Sequence, residues 1–217
     1  MNSSETTGPQ SGSSRDLVSL LGDPPRERAD AARNRRRVLE AAAKLFREHG
    51  VEAVSMDAVA AEAGVGKGTL FRRFGDKSGL VAALLDDKER ELQERILSGP
   101  PPLGPGASPG DRVRAFVEAY AGYLFEHLDL LRVSETASPG ARYRIGSYRF
   151  WHRHLAILLA EARPGADADY LAHALLAPLA AEHVTAVLRE CDTARVAAGL
   201  AVLTDALVQR HEQTDRP

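Results

Sequence analysis

Apolar positions recur along most of this chain at intervals of three and four, the period of a helix with one buried face. Val38, Ala42, Leu45, Phe46 and His49 follow this spacing and predict a first helix, which merges upstream into a basic, alanine-rich run, Arg26 to Arg37. Met56, Val59, Ala60 and Ala63 share one face of a short second helix. Ser55 is placed to accept a backbone N–H at its start, and Gly64 to end it in a left-handed turn. Leu70 and Phe74 are the inward positions of a third helix, Lys67 to Phe74, with Gly66 before it and Gly75 as its stop. Asp76 caps a fourth, Lys77 to about Leu97, on which Val81, Leu84, Leu85, Lys88, Leu92 and Ile96 share a face. Further helices are predicted from Asp111 to near His127, Leu128 to Glu135, about Ala141 to Ala162, Asp167 to about Glu190 with a kink at Pro178, and Asp192 to about His211. The expected class is all-α, with about nine helices, and no segment reads as a strand.

Proline and glycine punctuate this pattern. Residues 1–25 are rich in Ser, Gly, Thr and Pro and read as a disordered tail, with a short apolar LVSLL at Leu17–Leu21. Nine of the thirteen residues from Ser98 to Gly110 are Pro or Gly, so that stretch is expected to be neither helix nor strand. The division that follows is a helical amino-terminal domain over 26–97, a linker over 98–110 and a helical carboxy-terminal domain over 111–217.

Two short helices joined by a glycine turn, then a cap and a longer helix, form the layout of a helix-turn-helix reader of duplex DNA. With Leu70 and Phe74 inward, Lys67, Thr69, Phe71, Arg72 and Arg73 are left facing out. The formal net charge of −2 seems wrong for such a partner until it is counted locally. From Arg33 to Lys77 there are ten Lys/Arg against six Asp/Glu, a balance of +4, whereas Ser98 to Pro217 holds twelve against fourteen, a balance of −2. Lys77 stands at a helix amino terminus, where its charge opposes the helix dipole and a bound phosphate would offset the conflict. Arg33, Arg35, Arg36 and Arg37 are further candidates to approach the DNA backbone.

This stretch resembles the DNA-binding domain of the TetR family of bacterial transcriptional regulators over about Arg33 to Leu85. The resemblance is carried by Ala42, Leu45, Phe46 and Gly50 at the end of helix one and by Ser-Met-Asp at 55–57 leading to Ala60. Ala-Gly-Val at 63–65, Lys67 to Phe74 (KGTLFRRF) and Lys77-x-x-Leu80 complete it. Two positions depart from the family pattern: Gly66 replaces a hydroxyl residue, and Phe71 replaces a tyrosine. The resemblance implies DNA contacts at Ser55, Lys67, Thr69, Phe71, Arg72 and Lys77. Thr69 and Arg72 are the candidates for base edges, since Arg pairs bidentately with guanine, and Ser55, Lys67 and Lys77 are the candidates for phosphates. It further implies a regulator, most often a repressor, released from its operator by a small-molecule effector; the alternative is control by a protein partner or without a ligand.

The carboxy-terminal helices carry two apolar stripes, one through Leu171, Leu175, Leu179 and Val187, the other through Val196, Leu200, Leu203 and Leu207. Such stripes suit either an intramolecular core or a four-helix bundle completed by a second copy. The resemblance implies the second, a homodimer through the two terminal helices, and hence a palindromic operator. The middle helices hold most of the aromatic residues with polar groups among them, a composition compatible with either a core or a small-molecule pocket. Tyr120, Tyr123, His127 and Trp151 are the pocket candidates.

Other chemistries find little support. His152 and His154 stand two apart on a helix and point away from each other, so no shared metal is expected there. No nucleophile elbow, phosphate loop or zinc spacing is present, no cofactor is expected, and the chain does not read as an enzyme. The single cysteine, Cys191, excludes an internal disulfide and fits a reducing compartment. No run is apolar enough to span a membrane, and the start of the chain lacks the pattern of a signal peptide, so a cytoplasmic protein is expected.

Overall fold

The computed structural model describes residues 25–209, so the expected tail, its Leu17–Leu21 segment and the last residues of the final predicted helix lie outside the described residues. Four helices open the fold: α1 (Pro25–His49), α2 (Met56–Ala63), α3 (Lys67–Phe74) and α4 (Lys77–Ser98). Their ends are set by local chemistry. Ser55 Oγ accepts from the Ala58 N–H at 3.1 Å, and Asp76 Oδ1 from the Gly79 N–H at 2.9 Å. Gly64 adopts φ +61°, and a Cβ there would also meet the Arg37 guanidinium at 2.9 Å. At Gly79 a Cβ would strike the Phe74 carbonyl oxygen at 2.0 Å, so only glycine lets α4 start this close to the end of α3.

Seven more α-helices follow: α5 (Pro109–Glu126), α6 (Leu128–Glu135), α7 (Ala141–Arg144), α8 (Gly146–Ala162), α9 (Ala168–Leu176), α10 (Ala181–Val187) and α11 (Thr193–Val208), with a 3₁₀ turn at Ala177–Leu179. No strand occurs among the described residues. The count exceeds the nine expected because two predicted helices are broken. Ile145 is extended (φ −66°, ψ 134°) and separates α7 from α8. Pro178, which has no N–H to donate, interrupts the next one and leaves the 3₁₀ turn between α9 and α10. A third difference lies at α5. It starts at Pro109 rather than Asp111, because Ser108 accepts from the Asp111 N–H and donates its own hydroxyl to Asp111 Oδ2 at 2.6 Å.

One continuous apolar core runs from Val38 to Val208. In the head, α1 packs on α2, and Leu70 of α3 is buried against them. Helix α4 leaves the head and lies on α6. Behind it α5 is sandwiched between α8 and α11, and α9 runs along α8. The Pro/Gly segment after α4 is irregular, as expected, but compact: Leu103 is buried in the core, and the Gly104 N–H bonds the Pro100 carbonyl at 3.0 Å.

The terminal stripes are largely covered within a single copy. Leu175, Leu179 and Leu200 are 2 %, 0 % and 4 % exposed within a single copy, and Leu171, Val196 and Leu207 are half-buried against the same core. This stripe closes the protomer because α11 is held onto α5, with Arg114 Nε donating to Asp205 Oδ1 at 2.6 Å. Of the seven leucine and valine positions expected at a dimer interface, only Leu203 is exposed, beside Val202.

Candidate nucleic-acid interface

The geometry of the head makes one helix available. Leu70 and Phe74 fix α3 to the core, so Lys67, Thr69, Phe71, Arg72 and Arg73 are exposed together, with Ser55 exposed at the start of α2. Phe71 shows 45 % of its surface, which is unusual for a phenylalanine and gives the face an apolar centre between cations. Thr69, Arg72 and Arg73 also border a cleft of about 290 Å³ whose other wall is the start of α1, Asp30 to Asn34. The first turns of α1, from Asp30, thus flank the exposed face rather than lying remote from it.

The cations are not equally free. The Lys67 ammonium pairs with Asp57 across the turn, which partly neutralises it. Arg37 donates to the Ala63 carbonyl at 2.6 Å, capping the end of α2. Arg33 pairs with Asp30, and Arg36 lies 4.0 Å from Glu40. Lys77 donates to both the Val51 and Glu52 carbonyls at 2.9 Å, where it ties the start of α4 to the turn between α1 and α2 and keeps one N–H for another partner. Arg72 and Arg73 are exposed, with no acid beside them in α3.

The carboxy-terminal candidates separate into two groups. Tyr120 (3 % exposed) and Trp151 (1 %) are packed with Phe116 at ring separations of 5.7–6.0 Å and belong to an aromatic core, not a pocket wall. Burial pushes the Tyr120 hydroxyl pKa up, and burial with the neighbouring Glu89 does the same for Tyr123. Tyr123 and His127 do border a cleft, of about 250 Å³, shared with Lys88, Glu91 and Arg95 of α4. Burial holds the His127 imidazole below its ordinary pKa. A larger cleft of about 550 Å³ lies between α5 and α11, walled by Val117, Ala121, Phe125 and Leu200 and rimmed by Arg114, Glu118 and Asp205.

Sequence reasoning missed the contacts that join the halves. Glu89 of α4 is half-buried and accepts from Ser147 Oγ (3.0 Å) and the Tyr123 hydroxyl (3.4 Å); desolvation raises its pKa. Arg132 of α6 donates to Glu52 Oε1 at 2.9 Å, so a carboxy-terminal helix touches the turn that Lys77 also holds. These partners are 58, 34 and 80 residues apart, beyond the reach of any periodicity. His152 and His154 diverge as expected: His152 lies tilted against His173, and His154 packs on Phe116.

Comparison with known proteins points to the same face. Residues 38–84 match the family model described as bacterial regulatory proteins, tetR family. Over 53 residues the chain is 57 % identical to an HTH-type transcriptional regulator of Staphylococcus aureus (strain USA300), a match covering 24 % of this chain and 29 % of that relative. The chain therefore spans less than a third of the curated relatives it matches. Among solved structures, a TetR-family transcriptional regulator from Pectobacterium atrosepticum superposes with a TM-score of 0.59 at 25 % identity, covering 84 % of this chain and 98 % of that one. A transcriptional regulator from Saccharomonospora viridis, solved in complex with choline, gives 0.61 at 22 % identity over 82 % of this chain and all of that one, a likeness of fold.

Proposed function

We propose, for a chain that belongs to the TetR family of bacterial regulators through its residues 38–84, that it binds duplex DNA sequence-specifically, acts in the cytoplasm as a transcriptional repressor rather than as an enzyme, and leaves its operator when a small molecule binds the carboxy-terminal half. The observation that carries this reading is the exposed face of α3, where Lys67, Thr69, Phe71 and Arg72 project together from a helix whose other side is locked by Leu70. Arg72 and Thr69 read base edges in the major groove. Ser55 and Lys67 hold phosphates, and so does the remaining N–H of Lys77. Lys67 then exchanges Asp57 for phosphate on binding, which releases a surface pair worth little by itself.

A homodimer presents two such faces to half-sites about 34–36 Å apart, so the operator is palindromic. Leu203 and Val202 are the exposed apolar positions on α11 that serve this contact. The effector enters the cleft of about 550 Å³ between α5 and α11, within the size range of small-molecule sites. Of its acidic rim groups Glu118 suits a cation, Asp205 being paired with Arg114, and the fold relative from Saccharomonospora viridis holds choline. Three hydrogen bonds carry the signal to the head: Glu89 of α4 with Ser147 and with Tyr123, and Arg132 with Glu52 at the α1–α2 turn. A coupling of about 1–3 kcal/mol is enough to empty an operator. The packed Tyr120–Trp151 core favours the alternative of control without a small ligand.

The test is binding of the full chain to its own upstream DNA at physiological salt, followed by footprinting and light scattering. The expected result is a protected palindrome and a two-copy species, with affinity lost in Arg72→Ala. A single-copy species, or binding indifferent to Lys67→Ala and Arg72→Ala together, would overturn the reading. Adding choline and other small cations separates the two modes of control. Release of DNA that Glu118→Gln abolishes supports the α5–α11 cleft, and no release by any of them supports the alternative.

A further inference from the structure

Three ligand-forming side chains meet where α8 crosses α9, although no motif announces them. Asp169 and His173 stand four apart on α9 and so project from the same side of that helix. His152 reaches them from α8, its ring 3.8 Å from that of His173. The ligand atoms of all three lie within 4.8 Å of one another, and His152 Nε2 is 3.7 Å from Asp169 Oδ1. A tetrahedral ion with bonds of about 2.1 Å separates its ligand atoms by about 3.4 Å, so to close on one the two rings must move apart from 3.8 Å, His152 Nε2 must leave the Asp169 carbonyl it meets at 3.1 Å, and the exposed carboxylate must rotate inward.

The surroundings favour ligation over chance proximity. The Tyr148 hydroxyl lies 2.7 Å from His173 Nδ1, the hydrogen bond that a metal-bound imidazole makes with its second nitrogen. With Nδ1–H donating to Tyr148 Oη, the His173 Nε2 lone pair is left for a metal. Tyr148 is itself held in place, buried and covered by the Arg142 guanidinium 5.2 Å from its ring centroid. His152 is half-buried, so its ring is confined, while Asp169 and His173 keep the site open to entry from solvent.

We propose that His152, Asp169 and His173 form a binding site for a divalent transition-metal ion of the zinc class, which fastens α8 to α9 and keeps at least one coordination position open. Two imidazoles and one carboxylate suit zinc, nickel and cobalt and do not suit the oxygen-seeking magnesium and calcium.

Cobalt(II) titrated into the untagged, chelator-stripped full chain reads the site directly through visible d–d absorption. The expected result is a band saturating at one ion per chain, displaced by zinc and unaffected by magnesium. His152→Ala and His173→Ala each weaken binding at least about 100-fold, and Tyr148→Phe weakens it about 10-fold through the lost second-nitrogen partner. His173→Cys retains binding and adds a sulfur-to-metal charge-transfer band. His49→Ala, at the end of α1 in the head, changes nothing. Circular dichroism of each variant separates loss of the site from loss of the fold. In the unaltered chain, paramagnetic broadening must select the His152 and His173 ring signals. A flat spectrum, broadening spread over all histidines, or cobalt binding undiminished in His152→Ala and His173→Ala would overturn the proposal.

Discussion

In the head, the ends of α2 and α4 are closed from within: Ser55 serves the N–H three residues on, Asp76 does the same, and Gly64 turns the chain at the end of α2. In the carboxy-terminal half, α7, α8 and α10 begin without a side-chain cap of their own. The break at Pro178 is instead repaired from afar. The Glu135 carboxylate accepts the Ala181 N–H at the start of α10 at 2.8 Å, and the Arg142 guanidinium donates to the Leu176 carbonyl at the end of α9 at 2.9 Å. Glu135 and Arg142 also pair with each other, buried. An anion thus sits at a helix amino terminus and a cation at a helix carboxy terminus, the arrangement that both macrodipoles favour. The lesson is that a sequence-local device can be transplanted and read by eye, whereas a helix break stitched by a distant ion pair belongs to one fold only.

The strongest way to break this contrast is to cut the stitch. Glu135→Ala leaves the Arg142 charge buried without its partner and strips the Ala181 N–H, so it is expected to destabilise by about 3–5 kcal/mol in urea unfolding. Arg142→Met alone should cost a similar amount, and the double variant Glu135→Leu, Arg142→Met less than the sum; strict additivity would show that the pair is not coupled.

The head predicts the opposite profile. Lys67→Ala and Arg72→Ala should each weaken operator binding by about 1–3 kcal/mol or lower its salt slope by about one, while stability stays within about 0.5 kcal/mol of the parent. A comparable loss of fold would erase the distinction between the two regions.

Acid sharpens it further. Burial and the neighbouring Arg112 hold the His154 imidazole down, from 6.5 to about 4, and its Nε2 has no hydrogen-bond partner. The neutral form is therefore the folded form, and stability is lost as pH falls from 6.5 towards 4. The loss is on the order of 2 kcal/mol after allowance for partial solvent access. The difference in urea midpoint between parent and His154→Leu, followed across that range, should carry this slope, while the raised Glu89 and Glu135 carboxyls cancel in the comparison.

The smallest effect belongs to Lys77. Lys77→Met loses two carbonyl contacts and should cost about 1 kcal/mol, with DNA affinity falling because the α1–α2 turn loosens ahead of Ser55 and a phosphate loses the remaining N–H. Hydrogen exchange at Val54 to Ala58 checks it.

Legibility follows the same divide. The bounds of α2 and α3 and the caps of α2, α4 and α11 were readable because each rests on residues within four positions. Pro178 is readable as a disturbance, but not as a full break, since the pair that makes a break tolerable lies 46 and 34 residues from the Ala181 and Leu176 groups it bonds. Ile145 offered no signal: a β-branched residue beside Gly146 is compatible with a continuing helix. Stripes at Leu175, Leu179 and Leu200 announced an apolar face correctly, yet periodicity cannot say whether the partner of that face is the same chain or another. The nearest histidine to His152 in sequence is His154, but its neighbour in space, His173, is 21 residues on and on a different helix.

The bond from Arg132 to Glu52 bears on how such heads can be recombined. A hybrid that joins residues up to Leu85 to a foreign carboxy-terminal half keeps Glu52 and forfeits Arg132, leaving the loop before Ser55 without its outside brace. Hybrids that restore a basic residue at the equivalent place on the grafted α6 should respond to the new half, and those without it should bind DNA constitutively.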